Sequence, residues 1–288
     1  MTQQTSTWAR FAPGLFVFFW STGFIGAKLG LPYAEPLIFL FYRYVLVVAI
    51  FVALTVFSGA AWPRDWREWA HIGIAGLMIH GLYLGGVYVA IHQGLPAGIV
   101  SLIVGMQPLL TAVLVGFLLS ETVSKRQWLG LVLGLIGAAL VLSSRITTGF
   151  GFAGVPAAAL ALLGITAGTL YQKRFCPHFD WRSGAVAQYL PAAIATGIAA
   201  FLFEDTHVEW NGQFIFALGW LVLVLSVGAI SLLNVLIRSG SAVNMASLFY
   251  LVPATTAVIA WLIFNETLSL TALVGMGLTL WGVALARK

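Results

Sequence analysis

The stretch that decides the fold is Gly94–Leu142, GLPAGIVSLIVGMQPLLTAVLVGFLLSETVSKRQWLGLVLGLIGAALVL. It holds two apolar runs, each near the length that crosses a bilayer. A short polar hinge, SETVSKRQ, separates them. Pro108 sits in the middle of the first run, and the second carries Gly130, Gly134 and Gly137. The stretch recurs near the C-terminus as Ser241–Ala286, SAVNMASLFYLVPATTAVIAWLIFNETLSLTALVGMGLTLWGVALA. There the proline is Pro253, and 253 − 108 = 145. At that one offset Thr111-Ala112-Val113 meets Thr256-Ala257-Val258, and Glu121-Thr122 meets Glu266-Thr267. Ser124 meets Ser269, Gly130 meets Gly275 and Gly137 meets Gly282. An ungapped match of Pro, Glu and Gly positions reads as a duplicated unit.

The same offset extends upstream. Ser21 meets Thr166, Gly23 meets Gly168, Lys28 meets Lys173, and Arg43-Tyr44 meets Gln188-Tyr189. The chain has 288 residues, 60% hydrophobic and only 8% charged. A soluble domain carries roughly 25% charged residues, so the composition points to an all-α, polytopic membrane protein. The hydropathy pattern predicts ten spans near 11–31, 36–57, 71–92, 97–119, 126–143, 153–172, 183–203, 213–237, 241–264 and 270–286. Residues 1–145 and 146–288 then hold five spans each. Five is odd, so the second half enters the membrane from the opposite side, giving two inverted five-helix repeats. Such repeats place a site at their interface near the midplane of secondary carriers.

Lysine and arginine placement orients the chain. With the N-terminus in the cytoplasm, Arg10, Arg64, Arg67, Lys125, Arg126, Lys173, Arg174, Arg182, Arg238, Arg287 and Lys288 all fall inside. Only Lys28 and Arg145 fall outside, while Arg43 lies within a span. This asymmetry predicts both termini cytoplasmic. It also accounts for the net charge of +5 without a nucleic-acid partner. The N-terminal MTQQTSTWAR is too weakly basic for a cleaved signal, so the first span is expected to be retained. The single cysteine, Cys176, excludes an intramolecular disulfide framework and a thiolate metal cluster.

The chain resembles the EamA-type transporters of the drug/metabolite transporter superfamily. The resemblance is carried by Trp20-Ser21-Thr22-Gly23-Phe24, by the FYRY stretch with Arg43, and by Pro108 followed by Glu121-Thr122 and Gly130. It is carried again at Pro253, Glu266-Thr267 and Gly275. Within the superfamily it looks most like the YddG-type amino-acid exporters. The resemblance covers nearly the whole chain. It implies a central cavity lined by helices 1, 3, 4, 6, 8 and 9, in a bacterial inner-membrane exporter of small metabolites. Amino acids, aromatic and other neutral ones, are the expected cargo; a drug or other metabolite carrier of the same superfamily is the alternative, with a membrane-embedded enzyme ranked behind it. One departure is that Gln188 stands where the first half has Arg43.

The residues singled out as cargo-binding are Trp20, His80, Tyr83, Gln107, Ser247 and Tyr250. His80 and Tyr83, three apart on a helix, are expected to share a face. Ser and Asn in spans can instead bond neighbouring helices. Arg43, within roughly 10 Å of the outer end of its span, either ties neighbouring carbonyls together or acts as a gate or partner for a substrate carboxylate. Lys28 lies closer to the surface, where snorkelling competes with gating. Pro108 and Pro253 each remove a backbone donor within a span and are expected to form paired kinks, passive or moving as hinges. Glu121 and Glu266 close their spans, and Ser124 with Gln127 fits a capping box.

No H-E-x-x-H, P-loop or pair of intramembrane carboxylates occurs, so an enzyme is not expected and no cofactor or metal is called for. Every Asp and Glu falls in a loop or at a span end. His80 is the one mid-membrane titrating group, and burial disfavours its charged form. The expectation is a monomeric, uncoupled carrier in the lipid bilayer, working by alternating access on a small-molecule substrate.

Overall fold

The computed structural model describes residues 7–143, 152–239, 241–264 and 269–286. Arg145, Glu266, Thr267, Arg287 and Lys288 lie outside the described residues. The described chain is helical, with one isolated antiparallel bridge between Ala34 and Val208. Its helices are α1 (Thr7–Gly30), α2 (Pro36–Phe57), α3 (Trp66–His92), α4 (Ala97–Leu119), α5 (Lys125–Ser143), α6 (Val155–Phe175), α7 (Trp181–Phe203), α8 (Gly212–Arg238), α9 (242–264) and α10 (Leu270–Ala286). Eight of these are long and apolar enough to cross a bilayer, and α10 is a shorter apolar helix. The protein is therefore an integral membrane protein. Large apolar side chains such as Phe117, Phe201, Leu202 and Trp281 point outward, as a lipid-facing surface requires.

Side chains close the helix starts. Asp65 accepts from the backbone N–H of Arg67 and Glu68, Asp180 from Arg182, Asn211 from Phe214, and Ser241 from Asn244. Ser124 and Gln127 bond reciprocally at the start of α5, forming the capping box. α2 is closed differently. Its Leu37 and Ile38 N–H groups donate to Glu204, from the far end of α7, each at 2.9 Å. Ser120, at φ 56°, ends α4 in the left-handed region.

Packing between the sequence halves is crossed. α1 packs on α8 and α9, whereas α6 packs on α3 and α4. α2 lies along α7, and α5 along α10. The α5–α10 crossing is built on glycine. A Cβ on Gly137 would stand 2.7 Å from the Gly275 carbonyl, and one on Gly282 would stand 2.6 Å from the Gly130 carbonyl. Removing Cβ lets the two backbones touch, which gives van der Waals contact where lipid offers no hydrophobic driving force. At the other seam Tyr44 and Tyr189, equivalent at the 145 offset, touch with ring centroids 5.4 Å apart.

Four of the described helices are irregular. In α4, the first segment ends at Val104 and a second begins at Gln107. Pro108 therefore opens a helix rather than kinking its interior, a correction to the sequence expectation. Its missing N–H falls in a first turn, where no intrahelical partner exists. α9 has a 3₁₀ turn at Ser247–Tyr250, with Pro253 in the first turn of the segment Leu251–Phe264. α3 and α8 each contain a π-helical stretch, Leu77–Leu84 and Leu221–Ala229. At the 145 offset these two stretches coincide to within one residue. Nothing in LMIHGLYL or LVLVLSVGA signals a π turn.

Candidate functional site

A small cavity, about 30 Å³ in volume, opens between α1, α2, α3 and α8. Its walls include Trp20, Phe24, Arg43, Tyr83, Tyr88 and Leu225. The two π-helical stretches supply Tyr83, Leu84 and Leu225, and the residues just beyond them supply Tyr88 and Ile230. Widened i→i+5 turns recur at functional sites because they turn side chains out of α register.

Trp20 is 5% exposed and held by Phe16, at a centroid distance of 5.0 Å, and by Phe249, edge-on at 5.2 Å. Tyr83 lies parallel to it, at 6.1 Å and 9°. Arg43 is 2% exposed. Its Nε donates to Ser226 Oγ at 3.0 Å, and its Nη1 donates to Tyr88 Oη at 3.2 Å. No carboxylate among the described residues pairs with it. A guanidinium carries five N–H donors, so both bonds together leave most of its capacity unspent beside the cavity. The site is thus a mostly apolar, aromatic-walled pocket with one positive charge, the usual composition of a small-molecule site.

Of the residues singled out in the sequence, Trp20, Tyr83 and Arg43 meet at this cavity. The others do not line it. His80 is fully buried on the other side of α3, stacked on Tyr189 at 3.9 Å, with the Tyr44 hydroxyl donating to its backbone carbonyl at 2.8 Å. The π turn explains its separation from Tyr83. With i→i+5 bonding, residues three apart no longer share one face, so the α-helical spacing argument fails here. Lys28 is exposed in the last turn of α1.

Gln107, Ser247 and Tyr250 belong to a second buried polar region where α4 and α6 meet α9. Gln107 Nε2 donates to Thr169 Oγ1 at 3.4 Å, and Ser247 Oγ donates to the Asn244 carbonyl at 2.9 Å. The Gln107 Oε1, Thr111 Oγ1, Asn244 Oδ1 and Tyr250 Oη atoms are buried without a hydrogen-bond partner. Pro108 is buried here, and Pro253 is buried in α9. A carboxylate closes this region at one end. Glu121 accepts from the Ala242 N–H at 3.2 Å and stands 3.8 Å from Lys173 Nζ.

Sequence reasoning passed over Leu84, Leu225 and Ile230, because hydropathy cannot tell a cavity wall from a lipid face. It also passed over Gln172, which accepts from Gln188 Nε2 at 2.8 Å and donates to Asn234 at 3.0 Å. This amide chain ties α6, α7 and α8 together where the other half has Arg43.

The EamA-like transporter family pattern matches residues 13–143 and again residues 152–287. The chain belongs to the EamA-like transporter family. A Bacillus subtilis protein named as uncharacterized transporter YvbV is 25% identical across 99% of this chain and 93% of its own length. The Escherichia coli inner membrane transporter YedA, likewise named uncharacterized, is 26% identical across 94% of this chain and 87% of its own. A Salmonella typhimurium protein named as a probable amino-acid metabolite efflux pump is 24% identical across 93% and 91%. A solved crystal structure superposes with a TM-score of 0.80 at 20% identity, covering 96% of each chain, which extends the likeness to the fold. EamA membership makes the chain a transporter-family protein rather than a member of an enzyme family.

Proposed function

We propose that this EamA-family protein exports small metabolites, amino acids first and aromatic and other neutral ones among them, from the bacterial cytoplasm across the inner membrane. The observation that carries this reading is the cavity at Arg43. A lone guanidinium matches a carboxylate, and Trp20, Phe24 and Tyr83 match an apolar or aromatic side chain. The name of the Salmonella relative supports the cargo class. A positive charge in the wall disfavours cationic drugs, so the multidrug reading ranks second.

The architecture proposed is ten spans in two inverted five-span repeats, 1–145 and 146–288, with both termini cytoplasmic, acting as a monomer. Four observations support it. The family pattern matches each half separately. The first helix of each half packs on the third and fourth of the other. Gly130 and Gly137 meet the equivalents of each other, Gly282 and Gly275. Such reciprocal contacts are what a two-fold axis produces. The π-helical stretches recur at the repeat offset. Alternating access would then arise from rocking of the halves about the cavity. The second region, with its unpartnered Gln107, Thr111, Asn244 and Tyr250 atoms, is read as the closed part of the path, waiting for water or solute.

Transport is proposed to be uncoupled. No Asp or Glu is among the buried residues described, so none is available there as an intramembrane relay. His80 is packed between aromatic rings, away from the cavity. The test is flux of a panel of labelled amino acids into liposomes holding the purified protein, with and without a pH or sodium gradient. Equilibration to the outside level, independent of either gradient, is the expected result. Accumulation above that level driven by either ion would refute the uncoupled mechanism, and absence of flux for every amino acid would refute the cargo.

A further inference from the structure

The charge inventory of the cavity says which end of an amino acid is recognised. Among the described residues the wall holds one cation, Arg43, and no anion. Its two spent donors go to the neutral hydroxyls of Ser226 and Tyr88. A buried charge without a counter-ion costs folding free energy that a bound anion returns. An arriving carboxylate would replace lost water with charge-assisted bonds from the remaining guanidinium N–H groups.

The ammonium group of the same solute meets the opposite conditions. It finds no carboxylate, and it sits in the field of the guanidinium, where low polarity strengthens repulsion. Aromatic faces and tyrosine hydroxyls allow it to be tolerated, but none of them is an ion-pair partner. A phosphate dianion is a poorer match than a carboxylate, since a second cation is not among the lining residues.

We infer that the cavity selects its solute by a single carboxylate and an apolar or aromatic body, and that the amino group is dispensable. Aromatic monocarboxylates that lack an amine, such as aryl-alkanoates and 2-oxo acids, are then ligands of the same site. The inference rests on the cavity being the cargo site, as proposed above. It departs from that reading in predicting that cargo recognition is anionic rather than zwitterionic.

The experiment is counterflow of labelled phenylalanine in liposomes preloaded with phenylalanine, together with direct binding of labelled 3-phenylpropionate to the purified protein. Competitors are phenylalanine, 3-phenylpropionate (carboxylate without amine) and phenethylamine (amine without carboxylate). The expected result is inhibition by 3-phenylpropionate within about threefold of phenylalanine, and by phenethylamine at least about tenfold more weakly, the scale of one charge-assisted contact. Arg43→Gln should remove binding of 3-phenylpropionate while the protein still elutes as a single species. The competition profile of the unmodified protein decides the matter even if that variant fails to fold. Counterflow that phenethylamine blocks as well as 3-phenylpropionate does overturns the inference and leaves amino-acid export standing. Arg43-dependent binding of 3-phenylpropionate without phenylalanine counterflow does the reverse. Neither counterflow nor binding overturns both.

Discussion

Arg43 on α2 and Gln188 on α7 occupy equivalent places in the two halves of one duplicated sequence, yet their surroundings differ. Arg43 reaches the cavity and bonds only neutral hydroxyls. Gln188 turns into a chain of amides, giving its N–H to Gln172, which gives its own to Asn234. The neighbouring tyrosines, Tyr44 and Tyr189, remain matched and in contact. The two halves share a scaffold of glycine crossings, π turns and a tyrosine seam. They differ in charge. Arg43 leaves an unpaired cation at a cavity that both halves wall, whereas Gln188 joins an amide chain that ties helices together and leaves only its Oε1 without a partner there.

If this comparison holds, the largest functional effect belongs to Arg43. Arg43→Gln, which copies the other half, should lower phenylalanine counterflow by more than about tenfold, the scale of a lost charge-assisted bond. Stability should hold or rise, because a buried unpaired charge is gone. Arg43→Lys should keep part of the activity, since the charge survives without the guanidinium fork. Equal flux in the glutamine variant would erase the distinction between the halves.

The scaffold should respond symmetrically. Gly137→Val and Gly282→Val each drive a side chain into the facing backbone, with Cβ contacts of 2.5 Å to the N atoms of Thr279 and Gly134. Each should cost about 1–3 kcal/mol, the usual penalty of overpacking, and lower the melting temperature alike. Gly277→Ala, where a Cβ meets nothing within 4 Å, is the neutral control. A large loss at one glycine and none at its counterpart would break the two-fold account of the crossing.

The amide chain is expected to matter for stability and not for recognition. Gln172→Leu leaves Gln188 and Asn234 short of a partner each, and one buried unsatisfied group costs about 1–3 kcal/mol. Thermal unfolding should shift down while the 3-phenylpropionate affinity changes little. A loss of affinity as large as that of Arg43→Gln would move the site to the Gln188 side.

The smallest effect concerns the helix starts. Asp180 caps α7, and its hydrogen bonds with Arg182 hold its carboxyl below the usual range. Glu204 caps α2 from a distance, and burial pushes its carboxyl up, against the pull of the Leu37 and Ile38 N–H groups. A lowered folded-state pKa means a contribution present above the unfolded value and lost as pH falls through the folded one. Asp180→Asn should therefore flatten the acid limb of melting temperature against pH. A raised pKa opposes folding at neutral pH and is relieved on acidification, so Glu204→Gln should tilt the same curve the other way. Identical curves for the two variants would show that the caps do not differ.

The sequence repeat stood out because Pro, Gly and Glu occupy few positions in such a chain. The offset linking Pro108 to Pro253 and Gly137 to Gly282 therefore stood out. Trp20, Tyr83 and Arg43 were legible because large aromatics and charges in mid-span need an interior. The placement of His80 was not legible. Its side depends on the π turn, a stretch that packs against Gly164 and Gly168 of α6 and that no local pattern announces. Leu84, Leu225 and Ile230 were hidden for a different reason, since an apolar side chain facing a cavity and one facing lipid read alike. Pro108 was placed correctly in its span but given the wrong local role, because a proline that opens a second helix resembles one that kinks a continuous helix.

The central claim is that the solute occupies the Arg43 cavity. The most direct test is protection of single cysteines from a small thiol reagent, with Cys176 first replaced by Ser. Leu84→Cys reports the cavity, and Thr111→Cys reports the second buried polar region. Saturating phenylalanine should slow labelling at Leu84→Cys by at least about fivefold, as expected when a bound solute covers the pocket wall. It should not slow labelling directly at Thr111→Cys. Protection at Thr111→Cys with none at Leu84→Cys would place the solute in the other region and contradict the account.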